Sequence, residues 1–322
     1  PKKIALLSHT NPDGDTIGAA LAWRSYLERL GHTTCCIAPN RYPYFLEWMT
    51  DIGHIGVFKE DHDGAMARFI GEADVIFCMD FNQINRLDRV TDTVTANTTA
   101  VRVLIDHHLH PPVDGYAVQF SDTHACSTSY IVYQLLEALA GTDAIDQAMA
   151  ESLYVGIMTD TGNFSFSSLT SDLFRAVAVL IDKGVNVPYV NSSVYNNFSE
   201  GRMRLLGYML NDKMVTDYEF GVAYVSLTEE EMRRFDFIQG DSEGFVNYPL
   251  SIRGIRMSAM FIQTKHSIRV SLRSRGEVDV NVFARRYFDG GGHRNAAGGK
   301  SYVPMNETLE NFRKYLREYF GA

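Results

Sequence analysis

Along the first half of the chain, short β-branched apolar runs alternate with stretches of helical periodicity. Runs at 4–7, 34–38, 75–79 and 101–105 have the length and composition of strands, and 16–30 repeats its apolar residues at helical spacing. Strand followed by helix, repeated, is the rhythm of a parallel sheet in an α/β fold, with helices on both faces. Ser127 or Thr128 is placed to cap a helix running to residue 140, and Ser171 or Asp172 to cap another ending at Gly184. Both helices are expected to cover the sheet.

Past Pro188 the rhythm changes. An Asn- and Ser-rich stretch at 191–199 leads into a helical pattern at 202–214, and 191–214 reads as a linker between a first domain, 1–190, and a second, 215–322. The second has strand patterns at 221–227, 256–263 and 267–273. Helical patterns lie near 228–235, at 280–287 and from 308 onward, so a smaller α+β domain is expected. No internal repeat is visible.

In open α/β sheets, ligands bind at the carboxyl ends of the strands, so the residues just after each run carry the first candidates. The first run leads into a loop holding His9, Asp13 and Asp15, with Pro12 and Gly14 to shape the turn. The run at 75–79 ends on Asp80, and that at 101–105 on Asp106, His107 and His108. Asp160 sits among small residues at 156–163. Each alone also suits a turn or a helix cap. Their recurrence at three strand ends favours carboxylates and imidazoles converging on a divalent metal.

Charge divides the chain in a way that hydropathy does not. The net charge is −9, yet 251–300 holds ten Arg or Lys against three acids, a balance of +7 that leaves −16 for the remainder. An acidic part suits divalent cations and a basic part suits phosphate. The overall charge argues against coating long nucleic acid. No apolar run approaches the roughly 18 residues that a bilayer span needs. The four cysteines, Cys35, Cys36, Cys78 and Cys126, lack Cys-x-x-Cys spacing and read as reduced core residues of a soluble, cytoplasmic protein. The chain opens on Pro1, and some N-terminal residues are expected to have been removed.

Four ordered motifs, HTNPDGD at 9–15, CMD at 78–80, DHH at 106–108 and GIMTDTG at 156–162, resemble those of the DHH phosphoesterase superfamily. GGGHRNAAG at 290–298, preceded by SLRSR at 271–275, resembles the signature of its accessory DHHA1 domain. The size and domain pairing are similar to those of stand-alone nanoRNases, oligoribonucleases that also dephosphorylate adenosine 3',5'-bisphosphate (pAp). RecJ exonucleases are longer, membrane-bound cyclic-dinucleotide phosphodiesterases carry further segments, and family II pyrophosphatases lack the GGGH signature.

The resemblance implies two cations, manganese in preference to magnesium, in a cleft between the domains. His9, Asp13 and Asp80 would hold one, and Asp15, Asp80, His107 and Asp160 the other, with Asp80 bridging. Asp106 would orient His107, and His108 would act on a phosphate oxygen or the leaving group. In the second domain Gly291, Gly292 and His293 would approach a phosphate. Arg273 and Arg275 alternate along a strand and so share a face, with Arg273 favoured as the phosphate ligand. The expected substrates are short single-stranded oligonucleotides or nucleotide bisphosphates, with no long duplex and no membrane, handled by a homodimer. The competing readings are an inorganic pyrophosphatase and a non-catalytic nucleotide-binding regulatory protein.

Overall fold

A computed structural model describes residues 1–165 and 169–321 and divides the chain into two compact units, Pro1–Asn197 and Phe198–Ala322. In the first, β1 (Lys3–Leu7), β2 (Thr33–Ala38), β3 (Ile55–Val57), β4 (Val75–Met79), β5 (Val101–Asp106) and β6 (Val118–Ser121) form one sheet. All neighbours are parallel, in the order β3-β2-β1-β4-β5-β6. The order reverses between β1 and β4, which places a topological switch point beside the His9 and Asp80 loops.

Period-2 alternation sends successive strand residues to opposite faces. Ala5, Leu7, Ile76, Cys78 and Leu104 pack against α2 (Ala65–Gly71) and α3 (Val90–Ala96) through Ile70, Val90 and Val94. On the other face Phe77 meets Trp23 of α1 (Gly14–Arg29) edge to face, with ring centroids 5.8 Å apart. Helices α4 (Thr128–Ala140), α5 (Gln147–Asp160), α6 (Ser171–Asp182) and α7 (Val187–Tyr195) complete this unit.

Two glycines let α1, α4 and α5 converge. A Cβ on Gly18 would lie 2.2 Å from the Ser152 carbonyl oxygen, and one on Gly156 would lie 1.9 Å from Ser129 Oγ. Close helix approach here sets the position of everything at the helix ends nearby.

The stretch expected as a linker is folded. Asn186 caps α7, and Ser199 caps α8 (Glu200–Tyr208), which continues into a π-helical turn, Met209–Lys213. The Asn and Ser residues that suggested a loop serve as helix caps and helix positions, and the contact boundary falls between Asn197 and Phe198. Two other helices start earlier than their patterns suggested. Asp13 is the N-cap of α1, so that helix begins at Gly14, and α11 (Met305–Phe320) begins three residues ahead of Thr308.

The second unit is built on β7 (Val215–Asp217), β8 (Val222–Leu227), β9 (Met257–Gln263), β10 (Ile268–Ser274), β11 (Gly291–His293) and β12 (Ala296–Ser301). Their order is β11-β12-β10-β9-β8-β7, antiparallel except between β8 and β9. One face packs on α10 (Val280–Tyr287) and α11 through Phe261, Phe283 and Phe312. The other packs on α8 and α9 (Glu229–Arg233) through Leu205, Met232 and Phe245. Among the described residues, no helix is long and apolar enough to cross a membrane.

Candidate metal centre

Strand ends and helix ends meet at the switch point. The β1–α1 loop carries His9 and Asp13, and Asp15 lies in the first turn of α1. Asp80 follows β4 in a left-handed conformation, φ 65°, a strained backbone of the kind that persists at functional sites. Asp106 ends β5, with His107 and His108 next, and Asp160 is the last residue of α5. An anion at a helix carboxyl end faces the negative end of the helix dipole, so Asp160 gains from a cation there.

Both histidines turn the same nitrogen inward. His9 Nδ1 donates to the Thr10 carbonyl at 2.9 Å, and His107 Nδ1 to the Ala125 carbonyl at 3.3 Å. Each therefore turns Nε2 toward the carboxylates, where it donates to an aspartate when protonated and offers its lone pair to a cation when one is bound. His9 Nε2 lies 3.4 Å from Asp80 Oδ2 and 3.8 Å from Asp13 Oδ2. His107 Nε2 lies 3.4 Å from Asp80 Oδ1, 3.4 Å from Asp160 Oδ2 and 3.9 Å from Asp15 Oδ2. Ligand atoms about 2.1 Å from one small cation stand roughly 3 to 4 Å from each other, which is the spacing seen. One oxygen of Asp80 faces the His9 group and the other the His107 group. In each of the sets His9, Asp13, Asp80 and Asp15, His107, Asp160, one atom per residue lies within 4.8 Å of the others.

Electrostatics point the same way. Burial, then Asp80 and Asp160, hold the Asp15 carboxyl well above its ordinary range, despite the neighbouring His107. Burial and the nearby aspartates push Asp160 up to about 6 against the pull of His107. Burial disfavours a charged His107, yet Asp160, Asp80 and Asp15 outweigh it and raise that imidazole well above its usual value. Burial also opposes ionisation of Asp80, but His107 and His9 overcome it and lower that carboxyl well below the usual range. Asp15, Asp160 and His107 thus hold their protons more tightly while no cation balances the cluster; a divalent cation removes that mismatch.

One expected pairing is different. Asp106 Oδ1 accepts from His108 Nδ1 at 2.7 Å, so Asp106 orients His108, while the Ala125 carbonyl orients His107. Residues i and i+2 at a strand end share a side, which brings Asp106 to His108 in place of His107. Asp106 Oδ2 is buried and has no hydrogen-bond partner among the described residues.

The polar start of α4 also belongs to the centre. Thr128 and Ser129 donate backbone N–H bonds to Asp15 at 2.6 and 2.8 Å, and the Thr128 hydroxyl donates to Asp80 Oδ1 at 2.9 Å. The Ser-Thr-Ser run at 127–129 carried that signal. Arg86 is a further residue at this end of the sheet, its Nη1 3.5 Å from His108 Nε2.

In the second unit, Arg273 lies on β10 and donates from Nη1 to the Leu272 carbonyl at 3.0 Å. Arg275 lies beyond the strand, which ends at Ser274, so the alternation expected to align the two arginines stops between them. Gly291, Gly292 and His293 form β11, paired with Gly298, Ala297 and Ala296. A Cβ on Gly292, at φ 141°, would lie 2.6 Å from the Ala296 carbonyl oxygen, so this glycine is required by the hairpin itself.

Residues 3–157 match the N-terminal domain of the DHH family, and residues 218–322 match the DHHA1 domain. An exopolyphosphatase-related protein from Bacteroides fragilis, known from a crystal structure, is 38% identical with a TM-score of 0.92, covering 99% of this chain and 92% of its own. This chain belongs to the DHH family. Among curated DHH relatives, the bifunctional oligoribonuclease and PAP phosphatase NrnA of Bacillus subtilis is 28% identical over 304 residues, 93% of this chain and 89% of the relative. The protein of that name from Thermus thermophilus is 27% identical over 317 residues, 98% of this chain and 89% of the relative. The DHH protein described here is a phosphoester hydrolase of a metal-dependent family.

Proposed function

We propose that this DHH protein hydrolyses short single-stranded oligonucleotides to mononucleotides and removes the 3'-phosphate of pAp, using two divalent cations, manganese in preference to magnesium. The observation that carries the reading is Asp80, with one carboxylate oxygen toward His9 and the other toward His107. His9, Asp13 and Asp80 would hold one cation, and Asp15, Asp80, His107 and Asp160 the other. The mixed imidazole and carboxylate donor set suits manganese. Bound there, the cations would supply an activated hydroxide and neutralise charge on the attacked phosphate.

The remaining work falls to the chain's own groups. Thr128 and Ser129 fix Asp15 and Asp80 through three hydrogen bonds, which limits reorganisation during the reaction. His108, held by Asp106, assists departure of the leaving oxygen. Arg273 and the backbone of Gly291 and Gly292, with His293, hold the terminal nucleotide's phosphate. The names of the two NrnA relatives support oligoribonucleotides and pAp as substrates.

The test is release of mononucleotide from pApA and of phosphate from pAp by manganese-loaded protein, with pyrophosphate alongside and an Asp80→Ala variant as control. Metal-dependent turnover of either nucleotide, lost in the variant, is the expected result. Turnover of pyrophosphate alone would replace this reading with a pyrophosphatase, and nucleotide binding without turnover with a regulatory protein.

A further inference from the structure

Arg86 lies beside the metal centre without belonging to the ligand set. It sits in the 3-10 turn Ile84–Leu87, which follows Asp80 closely and is anchored by the fully buried Leu87. Its carbonyl accepts the Thr10 N–H at 2.8 Å. The backbone of Arg86 is therefore fixed between the loop that carries His9 and Asp13 and the loop that carries Asp80.

The side chain is half-buried, with Nη1 3.5 Å from His108 Nε2. With His108 Nδ1 committed to Asp106, Nε2 is the ring nitrogen that faces the guanidinium. Among the described residues, no carboxylate lies within 4 Å of the Arg86 guanidinium, although His9 and His107 gather four aspartates at this end of the sheet. An arginine that served only to quiet an acidic cluster would pair with one of its carboxylates. This one keeps most of a planar fork of donors for another partner, and such a fork matches the oxygens of a phosphate.

We propose that Arg86 contacts the substrate directly, donating to a non-bridging oxygen of the phosphate under attack, alongside His108. The proposal rests on the phosphoester-hydrolase reading above. In that reaction the oxygen of water bonds to phosphorus, the P–O ester bond breaks, and the proton lost by water ends on the departing alcohol. Negative charge develops on the phosphate's equatorial oxygens as this happens. Arg86 supplies a fixed positive charge to one of them and takes no part in proton transfer.

The experiment compares wild type, Arg86→Gln, Arg86→Lys and His108→Ala, and also Arg86→Gln in the His108→Ala background. Each is checked for cation uptake by calorimetry and for thermal midpoint. The manganese-loaded proteins are then titrated with inorganic phosphate and assayed on pAp. Arg86→Gln is expected to take up cations and melt like wild type, to bind phosphate on the order of tenfold more weakly, and to lose on the order of 10² in kcat. Arg86→Lys should recover part of the phosphate affinity through its charge and little of kcat, lacking the planar fork.

Undiminished phosphate affinity in Arg86→Gln would overturn the proposal. So would a loss that disappears in the His108→Ala background, because Arg86 would then act only by holding His108. If wild type turns over no nucleotide, the hydrolytic reading fails separately, and the phosphate titration still decides whether Arg86 binds the anion.

Discussion

The hydroxyl of Thr128 donates to Asp80 at 2.9 Å while the backbone N–H of the same residue donates to Asp15 at 2.6 Å. One residue thus clamps two carboxylates that reach the site from distant parts of the chain. Thr128→Val keeps the shape and the backbone bond but removes the hydroxyl. The variant should fold, with a loss of about 1.5 to 3 kcal/mol for a hydrogen bond to a charged group. It should bind manganese about 10- to 100-fold more weakly, as loss of an outer partner does at other metal sites. Urea denaturation and calorimetric manganese titration measure the two effects separately, and wild-type metal affinity would show that the clamp has no bearing on the ligands.

Chelation should change the direction of the pH dependence. Without a cation, Asp160 titrates at about 6 in the folded protein against an ordinary 3.8. A carboxyl raised in the folded state contributes stability below the unfolded value, and that contribution is lost as pH rises through the folded value. Protein in EDTA should therefore lose thermal stability between about pH 4 and pH 6 through this group. With manganese the trend reverses, because proton and cation compete for the same oxygens and metal stabilisation grows as the proton leaves. Thermal midpoints from pH 4 to pH 8, with and without EDTA, give the two slopes; parallel curves would exclude proton–metal competition.

Most of this centre was legible because strands write themselves in period-2 apolar runs, and a polar residue ending such a run is conspicuous. His9, Asp80 and His107 were found that way. The helix that delivers Asp160 was not. Residues Met149, Ala150 and Ser152 to Met158 of α5 are buried, so the helix has no polar stripe to set off an apolar one. Arg86, and the part Thr128 plays beyond a helix cap, escaped notice for another reason: each acts through a contact made only when distant segments fold together. The pairing of Asp106 with His108 was open to inference from strand periodicity, but the resemblance of DHH to a ligand motif drew attention to His107 instead.

The two interhelical glycines should differ in their consequences. A Cβ on Gly18 meets the Ser152 carbonyl, whereas a Cβ on Gly156 meets Ser129 Oγ at 1.9 Å and Asp15 Oδ1 at 2.9 Å. Gly18→Ala overpacks the α1–α5 contact and Gly156→Ala the contact of α5 with α4 and the start of α1, and each should lose about 1 to 3 kcal/mol or more. Only Gly156→Ala pushes directly on a proposed metal ligand and on Ser129, which holds it. Its manganese affinity should therefore fall, while Gly18→Ala, once folded, binds manganese nearly as wild type does. Denaturation midpoints with metal titrations of both variants test the distinction, and equal metal affinities would remove it.

The second unit carries a pH dependence of the opposite sign, at a group outside the proposed ligand set. Glu231 lies in the first turn of α9, in a capping box with Thr228. Its carboxylate accepts from the Thr228 N–H at 2.8 Å, from Tyr208 Oη at 2.8 Å and from Lys213 Nζ at 2.5 Å. Partial burial alone would raise this carboxyl, but Lys213, the Thr228 N–H and Tyr208 outweigh it and lower it to about 2 from an ordinary 4.5. A carboxylate depressed in the folded state contributes stability that is complete above the unfolded value and is lost as pH falls through the folded one. Glu231→Gln should thus lower the unfolding midpoint at pH 7, and the gap from wild type should narrow progressively below pH 4.5. Lys213→Met should reproduce most of the loss, because the ammonium is the one full charge among these partners, and combining the two changes should cost less than their sum. Thermal melts of the four proteins between pH 3 and pH 7 test this, and a gap that stays constant across that window would assign the role of Glu231 to packing and helix capping in place of its charge.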